Sequence, residues 1–304
     1  MKHTYTVRTL ITIFTCSLFG IFYSADLYAY SGNRKRVSKS TFFKRMKESN
    51  NAVMELKYDR SVRRYVRSYI SKGRYGAEVI LGRKAIYFPI IEKYIEEMGL
   101  PDALKNVPII ESALDPKARS KVGAKGLWQF MPRTGRMYGL TINKYVDERS
   151  DPVKSTIAGL TYLKDLHKIY KDWKLVLAAY NCGPGTVDKA IRKARSRDFD
   201  KIKKFLPKET QQYIPRFMAA WYMTDNYLLH DLRPNYPEYT MQFCKVVKIY
   251  KKKSLKEIAT ETGMDLKTIQ KLNPSYRRGI VPTNHEGNFV IIPIFGEELS
   301  SIEE

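Results

Sequence analysis

From Val153 to Tyr170, apolar side chains recur at every third or fourth position: Val153, Ile157, Leu160, Leu163, Leu166, Ile169 and Tyr170. That is the stripe of a helix that turns one face to a core. Asp151-Pro152 just before it supplies a capping carboxylate and a first-turn proline. The same spacing predicts helices from Trp173 to Asn181 and from Thr210 to Asn226, with Pro215 near the first turns of the second. Upstream, a helix between Ile86 and Met98 is expected to begin near Pro89 and to end at Gly99, and Pro108 opens a short helix that Pro116 helps to stop. The stretch up to about Gly73, with Val53, Leu56, Val62, Tyr65, Val66, Tyr69 and Ile70, predicts helix packed on the larger helical domain after it.

The period changes after residue 230. Pro234 and Pro237, with Asn235 and Glu238, interrupt the helical pattern and read as a linker over 231–242. A β-like run from Phe243 to Tyr250 comes next, then helices from Leu255 to Thr262 and Asp265 to Leu272, Asn273-Pro274, and a closing strand from Phe289 to Pro293. A mainly α domain over 80–230 is therefore expected. A basic helical region over 30–79 precedes it, and a small α+β domain of βααβ order over 243–294 and an acidic tail over 295–304 come after it.

At 304 residues and 43% hydrophobic, the chain is long enough for one medium domain plus a smaller one and is not of disordered composition. Its first 29 residues run from Lys2, His3 and Arg8 through an apolar Leu10–Tyr23 to small residues ending at Ala29, the layout of a secretory signal peptide. Export to the periplasm or cell envelope is the expectation, with a retained anchor as the second reading. Ile13-Phe14-Thr15 before Cys16 lack the small residues that lipid attachment wants. Cys182 and Cys244 fall in separate domains, and the four histidines show no metal-ligand spacing, so no disulfide scaffold, metal or other cofactor is implied.

The formal charge of +23 first suggests nucleic acid, but no recognisable nucleic-acid module accompanies it. An anionic envelope polymer or a membrane surface offers the same attraction. The densest basic stretch, Arg34 to Arg74, fits a binding surface and a merely solvated helical face equally well.

Glu111 lies in Val107-Pro108-Ile109-Ile110-Glu111-Ser112-Ala113-Leu114, a carboxylate in almost wholly apolar helical sequence. Such a group is costly to ionise and tends to keep its proton, as a general acid must. Taken alone, such a Glu is more often a paired or snorkelling structural residue. Two later segments, Gly126-Leu127-Trp128-Gln129-Phe130-Met131-Pro132 and Ala179-Tyr180-Asn181-Cys182-Gly183-Pro184-Gly185, set an amide and a phenol in apolar sequence that can hold them rigidly. In this order after Glu-Ser, the segments resemble the catalytic signature of the family 1 lytic transglycosylases, the goose-lysozyme-like enzymes that cut peptidoglycan. Ala118-Arg119-Ser120, Gly123-Ala124 and Val146-Asp147-Glu148-Arg149-Ser150-Asp151-Pro152 extend the likeness, which runs from about Ile80 to about Tyr227.

The resemblance implies a lysozyme-like catalytic domain, peptidoglycan glycan strands as substrate, and a carbon–oxygen lyase reaction. Glu111 would be the single acid and base, and the product a 1,6-anhydromuramic end. It assigns Ser112, Gln129, Tyr180, Asn181 and Tyr213 to substrate binding and to holding the acid. The 243–294 domain looks like a LysM module, which implies weaker sugar contacts at Ser254, Leu255, Asn273, Pro274 and Ile280. Lys252-Lys253-Ser254-Leu255 replaces the Gly-Asp-Thr-like turn usual there. The alternatives are a hydrolytic muramidase on the same fold, with Asp147, Glu148, Asp151 or Glu209 as a second acid, and a non-catalytic peptidoglycan-binding scaffold.

Overall fold

The computed structural model describes residues 38–48, 58–238 and 241–294. The expected signal peptide with Cys16, the opening of the basic stretch, Val53, Leu56 and the acidic tail lie outside the described residues. In chain order the helices are α1 (Lys39–Glu48), α2 (Arg60–Ile70), α3 (Arg74–Met98), α4 (Val107–Ser112), α5 (Pro132–Met137), α6 (Pro152–Tyr170), α7 (Trp173–Cys182), α8 (Pro184–Ala194), α9 (Phe199–Ile202) and α10 (Lys208–Asn226). The C-terminal part runs β1 (Cys244–Ile249), β2 (Lys253–Ser254), α11 (Leu255–Glu261), α12 (Leu266–Leu272), β3 (Ile280–Val281) and β4 (Asn288–Pro293). Antiparallel β1 and β4 pair Cys244 with Pro293 through Ile249 with Asn288, and β2 pairs with β3. The molecule is thus a mainly helical domain followed by a small strand-and-helix domain. Among the described residues no helix is long and apolar enough to cross a membrane.

The hydrophobic pattern accounts for most of these elements. Helix α6 starts where Asp151-Pro152 places it, the Asp151 carboxylate accepting from Val153 N and Lys154 N, both at 2.9 Å. Its stripe is buried at Val153, Leu160, Leu163, Leu166 and Tyr170, but Ile169 is 58% exposed. At the helix end Tyr170 takes the inward position, its hydroxyl donating to Asp188 Oδ1 at 2.9 Å, and Ile169 rotates to solvent. A second difference is Pro89, which lies inside the 25-residue α3 instead of starting a helix. A helix-interior proline costs ~3 kcal/mol. Phe88, Ile90, Ile91 and Ile95 are all buried around it, and at ~1.5–3 kcal/mol for each buried side chain they more than offset that cost.

Helix α2 packs along α10 with Val62 and Val66 buried and Asp59 capping its start. Helix α3 crosses residue 80, so the basic region and the helical domain after it share one helix. The expected linker is bound down. Asn235 N donates to Glu78 O at 2.8 Å and Arg233 N to the Glu78 carboxylate at 3.1 Å, strapping this segment onto α3. The close approach requires Gly82, since a Cβ there would stand 1.7 Å from the Asn235 carbonyl oxygen.

Gly82→Ala should therefore lift the strap and lower stability by ~1–3 kcal/mol, the usual cost of overpacking. Urea denaturation of the full chain would read this as a lower midpoint, and an unchanged midpoint would show that the strap contributes nothing.

Candidate active site

Helix α4 is short because its ends are specified. Pro108 sits in its first turn, and Asn106 before it is buried, its Nδ2 donating to Ala103 O and its Oδ1 accepting from Thr224 Oγ1 of α10 at 2.9 Å. At the other end Ala113 and Leu114 both adopt left-handed backbone, φ 53° and 56°, unusual for residues with a Cβ. The turn is held by Leu114, fully buried, and by Arg83 of α3, whose guanidinium donates to Ala113 O at 3.0 Å. The two residues just before this turn, Glu111 and Ser112, are both half-buried.

Tyr213 of α10 is 1% exposed, and its hydroxyl donates to Glu111 Oε1 at 2.5 Å. One turn on, Arg216 donates to Ile110 O at 2.7 Å. Burial drives the Glu111 pKa upward, while the Tyr213 hydroxyl and then the Arg216 charge pull it down and the Glu209 carboxylate adds a smaller upward push; the outcome is about 7. Burial and the nearby Glu111 hold both Tyr213 and Tyr180 protonated well above the usual phenol range.

The segment 126–130 forms the next wall. Gly126 has φ 84° and lies so close to Arg149 that a Cβ would stand 1.6 Å from its carbonyl oxygen. Trp128 is fully buried, its Nε1 donating to Thr156 Oγ1 of α6. Gln129 is left-handed at φ 48°, its amide nitrogen donating to Gly126 O at 2.9 Å and Ala118 O at 3.2 Å. Ser112 Oγ lies 2.8 Å from Leu127 O and 3.0 Å from Pro108 O, so it ties α4 to this segment. Tyr180 of α7 donates to Trp128 O at 2.7 Å, and Asn181 Oδ1 accepts from Thr210 Oγ1 of α10 at 2.7 Å. Hydrogen bonds thus join Glu111 to Tyr213, Ser112 and Tyr180 to the loop that carries Gln129, and Asn181 to α10.

Three of the four alternative acids are engaged elsewhere. The Asp147 side chain is fully buried among Arg149, Lys125 and Arg277, which hold it well below the usual carboxylate range against the cost of burial. Glu148 accepts from Thr141 N at 2.6 Å, and Asp151 caps α6. Glu209 is exposed in the first turn of α10.

In the C-terminal domain Ser254 forms a reciprocal capping box with Glu257 at the start of α11 and pairs with Ile280 across β2 and β3. Leu255 is 1% exposed. Asn273 is buried with both ends of its amide used, Nδ2 donating to Ile269 O and Ile291 O and Oδ1 accepting from Ile291 N. These three side chains work within the fold, while Pro274 and Ile280 are half-buried at its surface. Arg216 escaped the sequence reading, although its place three residues after Tyr213 on a helix puts both on one face.

Residues 88–203 match the family model of the Transglycosylase SLT domain, and residues 244–294 that of the Lytic transglycosylase MltD, LysM-like domain. The chain therefore carries an SLT domain followed by an MltD-type LysM-like domain. More particularly, it is homologous to membrane-bound lytic murein transglycosylase D of Escherichia coli (strain K12), with 40% identity over 161 residues, 52% of this chain and 35% of that protein. Membrane-bound lytic murein transglycosylase F 1 of Alkalilimnicola ehrlichii is 33% identical over 118 residues, 36% of this chain and 22% of that one. The chain spans about a third or less of the length of these curated relatives. Among solved structures, the 70 kDa soluble lytic transglycosylase of Escherichia coli aligns with 61% of this chain and 33% of its own, at 23% identity and a TM-score of 0.41.

A carboxyl whose native pKa lies above its ordinary value takes up protons on folding, so its ionisation opposes the fold. For Glu111 that opposition is absent below about 4.5 and complete above about 7. Glu111→Gln should therefore raise the melting temperature at pH 8 and lose that advantage as the pH falls to 4.5. An equal difference at both pH values would mean that Glu111 does not titrate in this range.

Proposed function

We propose that the chain is a peptidoglycan lytic transglycosylase that breaks the β-1,4 bond between N-acetylmuramic acid and N-acetylglucosamine without consuming water. The observation that carries this reading is Glu111, a half-buried carboxyl with a pKa of about 7 under the Tyr213 hydroxyl, flanked by the loop of Gln129. A group poised near neutrality donates and recovers a proton with little cost at either step. Glu111 protonates the glycosidic oxygen as it leaves, then as carboxylate takes the proton of the muramic acid C6 hydroxyl as that oxygen attacks C1. The substrate supplies its own nucleophile at high effective concentration, so a second carboxylate is not required. The engagement of Asp147, Glu148 and Asp151 in the fold supports that economy.

Tyr213 fixes the carboxyl and moderates its pKa. Ser112 and Tyr180, through the Leu127 and Trp128 carbonyls, hold the loop on which Gln129 meets the reacting sugar, and Asn181 contacts the saccharide beside it. The LysM-like domain presents a second surface to the glycan through Pro274 and Ile280, and the chain acts on the cell envelope, after export. A hydrolytic muramidase remains the second reading because Glu209 is near enough to influence Glu111.

Digestion of purified sacculi followed by mass analysis tests both. The wild type should release 1,6-anhydro ends, one water lighter than reducing ends, and Glu111→Gln should lower turnover by roughly 100-fold or more while leaving sacculus binding intact. Reducing ends in place of anhydro ends would establish the muramidase, and substantial activity in Glu111→Gln would remove the residue from its role.

Tyr213→Phe deletes the hydrogen bond that lowers the Glu111 pKa, so the carboxyl stays protonated to higher pH. The alkaline limb of kcat/KM should move upward from about 7 in this variant, whatever the loss in maximal rate. A limb that stays in place would show that Glu111 is not the acid being titrated.

A further inference from the structure

The SLT and LysM-like domains share a strand contact. Val146 and Tyr276 form an antiparallel bridge, flanked by Asp147 N donating to Ser275 O and Arg277 N to Tyr145 O, both at 2.9 Å. Val146 is 4% exposed and packs into the LysM-like core with Leu255, Ile258, Ile269, Val281 and Val290. In return Leu272 and Ile291 join the core of the helical domain. The module is seated by main-chain hydrogen bonds and exchanged core residues.

Asp147 is the polar centre of that contact. Its carboxylate accepts from Arg149 Nε at 2.9 Å and Nη2 at 3.0 Å, from Lys125 Nζ at 3.1 Å, and from Arg277 Nη2 across the domain boundary. Arg149 Nη1 turns the other way and donates to Gly123 O at 2.8 Å and Phe130 O at 3.2 Å. Those carbonyls flank the segment that carries Leu127, Trp128 and Gln129, and Lys125 pairs with Phe130 at its base. A buried carboxylate shared by several charged donors couples them, and removing one leaves the remaining charges imperfectly paired.

We propose that Arg277 of the LysM-like domain is a positioning residue for loop 123–130, acting through Asp147 and Arg149, so that the seated module is part of the catalytic apparatus. This deepens the transglycosylase reading and rests on it for the role of the loop. Arg277 itself meets no reacting atom. Its contribution is to complete the charge cluster that holds the Arg149 guanidinium under the Gly123 and Phe130 carbonyls, and with it the left-handed Gln129.

The test uses the full chain with Arg277→Ala, Arg277→Lys and, as a control of equal charge loss elsewhere in the module, Lys267→Ala. Arg277→Ala should lower kcat on isolated glycan strands roughly 10-fold or more with KM changed by less than about 2-fold, because the loop is misplaced while the binding surface is kept. Backbone amides of 123–130 should exchange hydrogen faster in that variant while those of α7 stay as in the wild type. Arg277→Lys should recover part of both effects, and Lys267→Ala should show neither. Unchanged exchange in 123–130 overturns the proposal, as does a rise in KM alone, which would make Arg277 a binding residue. If Arg277→Ala does not fold, Arg277→Lys carries the same comparison. Hydrogen exchange needs no turnover, so a wild type inactive on glycan would sink the transglycosylase reading while the coupling of Arg277 to the loop was still decided.

Discussion

The arrangement depends on keeping one carboxyl out of bulk water without letting it become permanently neutral. Burial pushes the Glu111 pKa up, and a full ion pair would push it down. The structure balances the two. Tyr213 gives a neutral hydroxyl in place of a cation as the direct partner, while Arg216 donates to the Ile110 carbonyl and acts on the carboxyl as a nearby charge. The electrostatics therefore rest on two α10 side chains one turn apart, and these require α4 to sit at a fixed depth against α10. Asn106, bonded to Thr224, fixes that depth at one end of α4, and the strained turn at Ala113 and Leu114, clamped by Arg83, fixes it at the other.

Much of this was written in local pattern. The α6 stripe, its Asp151-Pro152 start, the Pro108 helix and the βααβ order are properties of periodicity and capping, and they stand at nearly the expected residues. Glu111 was legible because a charge in an apolar run is an exception to the pattern. Where tertiary burial outweighs local preference the reading failed, as at Pro89, which α3 absorbs because the residues around it are buried, and at Ile169, which the end of α6 turns outward. Proline and asparagine in 231–242 signal irregular backbone correctly, but nothing local reveals that the segment is strapped to Glu78 and Gly82. Arg216 and Arg277 were hidden for the same reason, since an arginine in so basic a chain gives no sign of which carbonyl or carboxylate it will meet.

The 145–151 turn carries more than its sequence suggests. Of its acids, Asp147 seats the second domain, Glu148 closes the turn onto Thr141, and Asp151 starts α6, so all three carboxylates are consumed by architecture. Arg149 makes this possible by presenting guanidinium edges to Asp147 on one side and to loop carbonyls on the other, a division of donors that a lysine could not reproduce.

Seating the LysM-like domain this way also fixes its direction. A module on a free linker samples many orientations, and its surface helps a catalytic site only through raised local concentration. Here the chain between the domains is bound along α3, and residues 275–277, which open the long connection from α12 to β4, are committed to the partner domain. What remains exposed on the module faces one way relative to Glu111. The commitment has a price in adaptability: a loop that pairs with the Tyr145–Asp147 edge is not free to reshape around a ligand, so any ligand bound by the module must fit a surface already set by the contact with the helical domain.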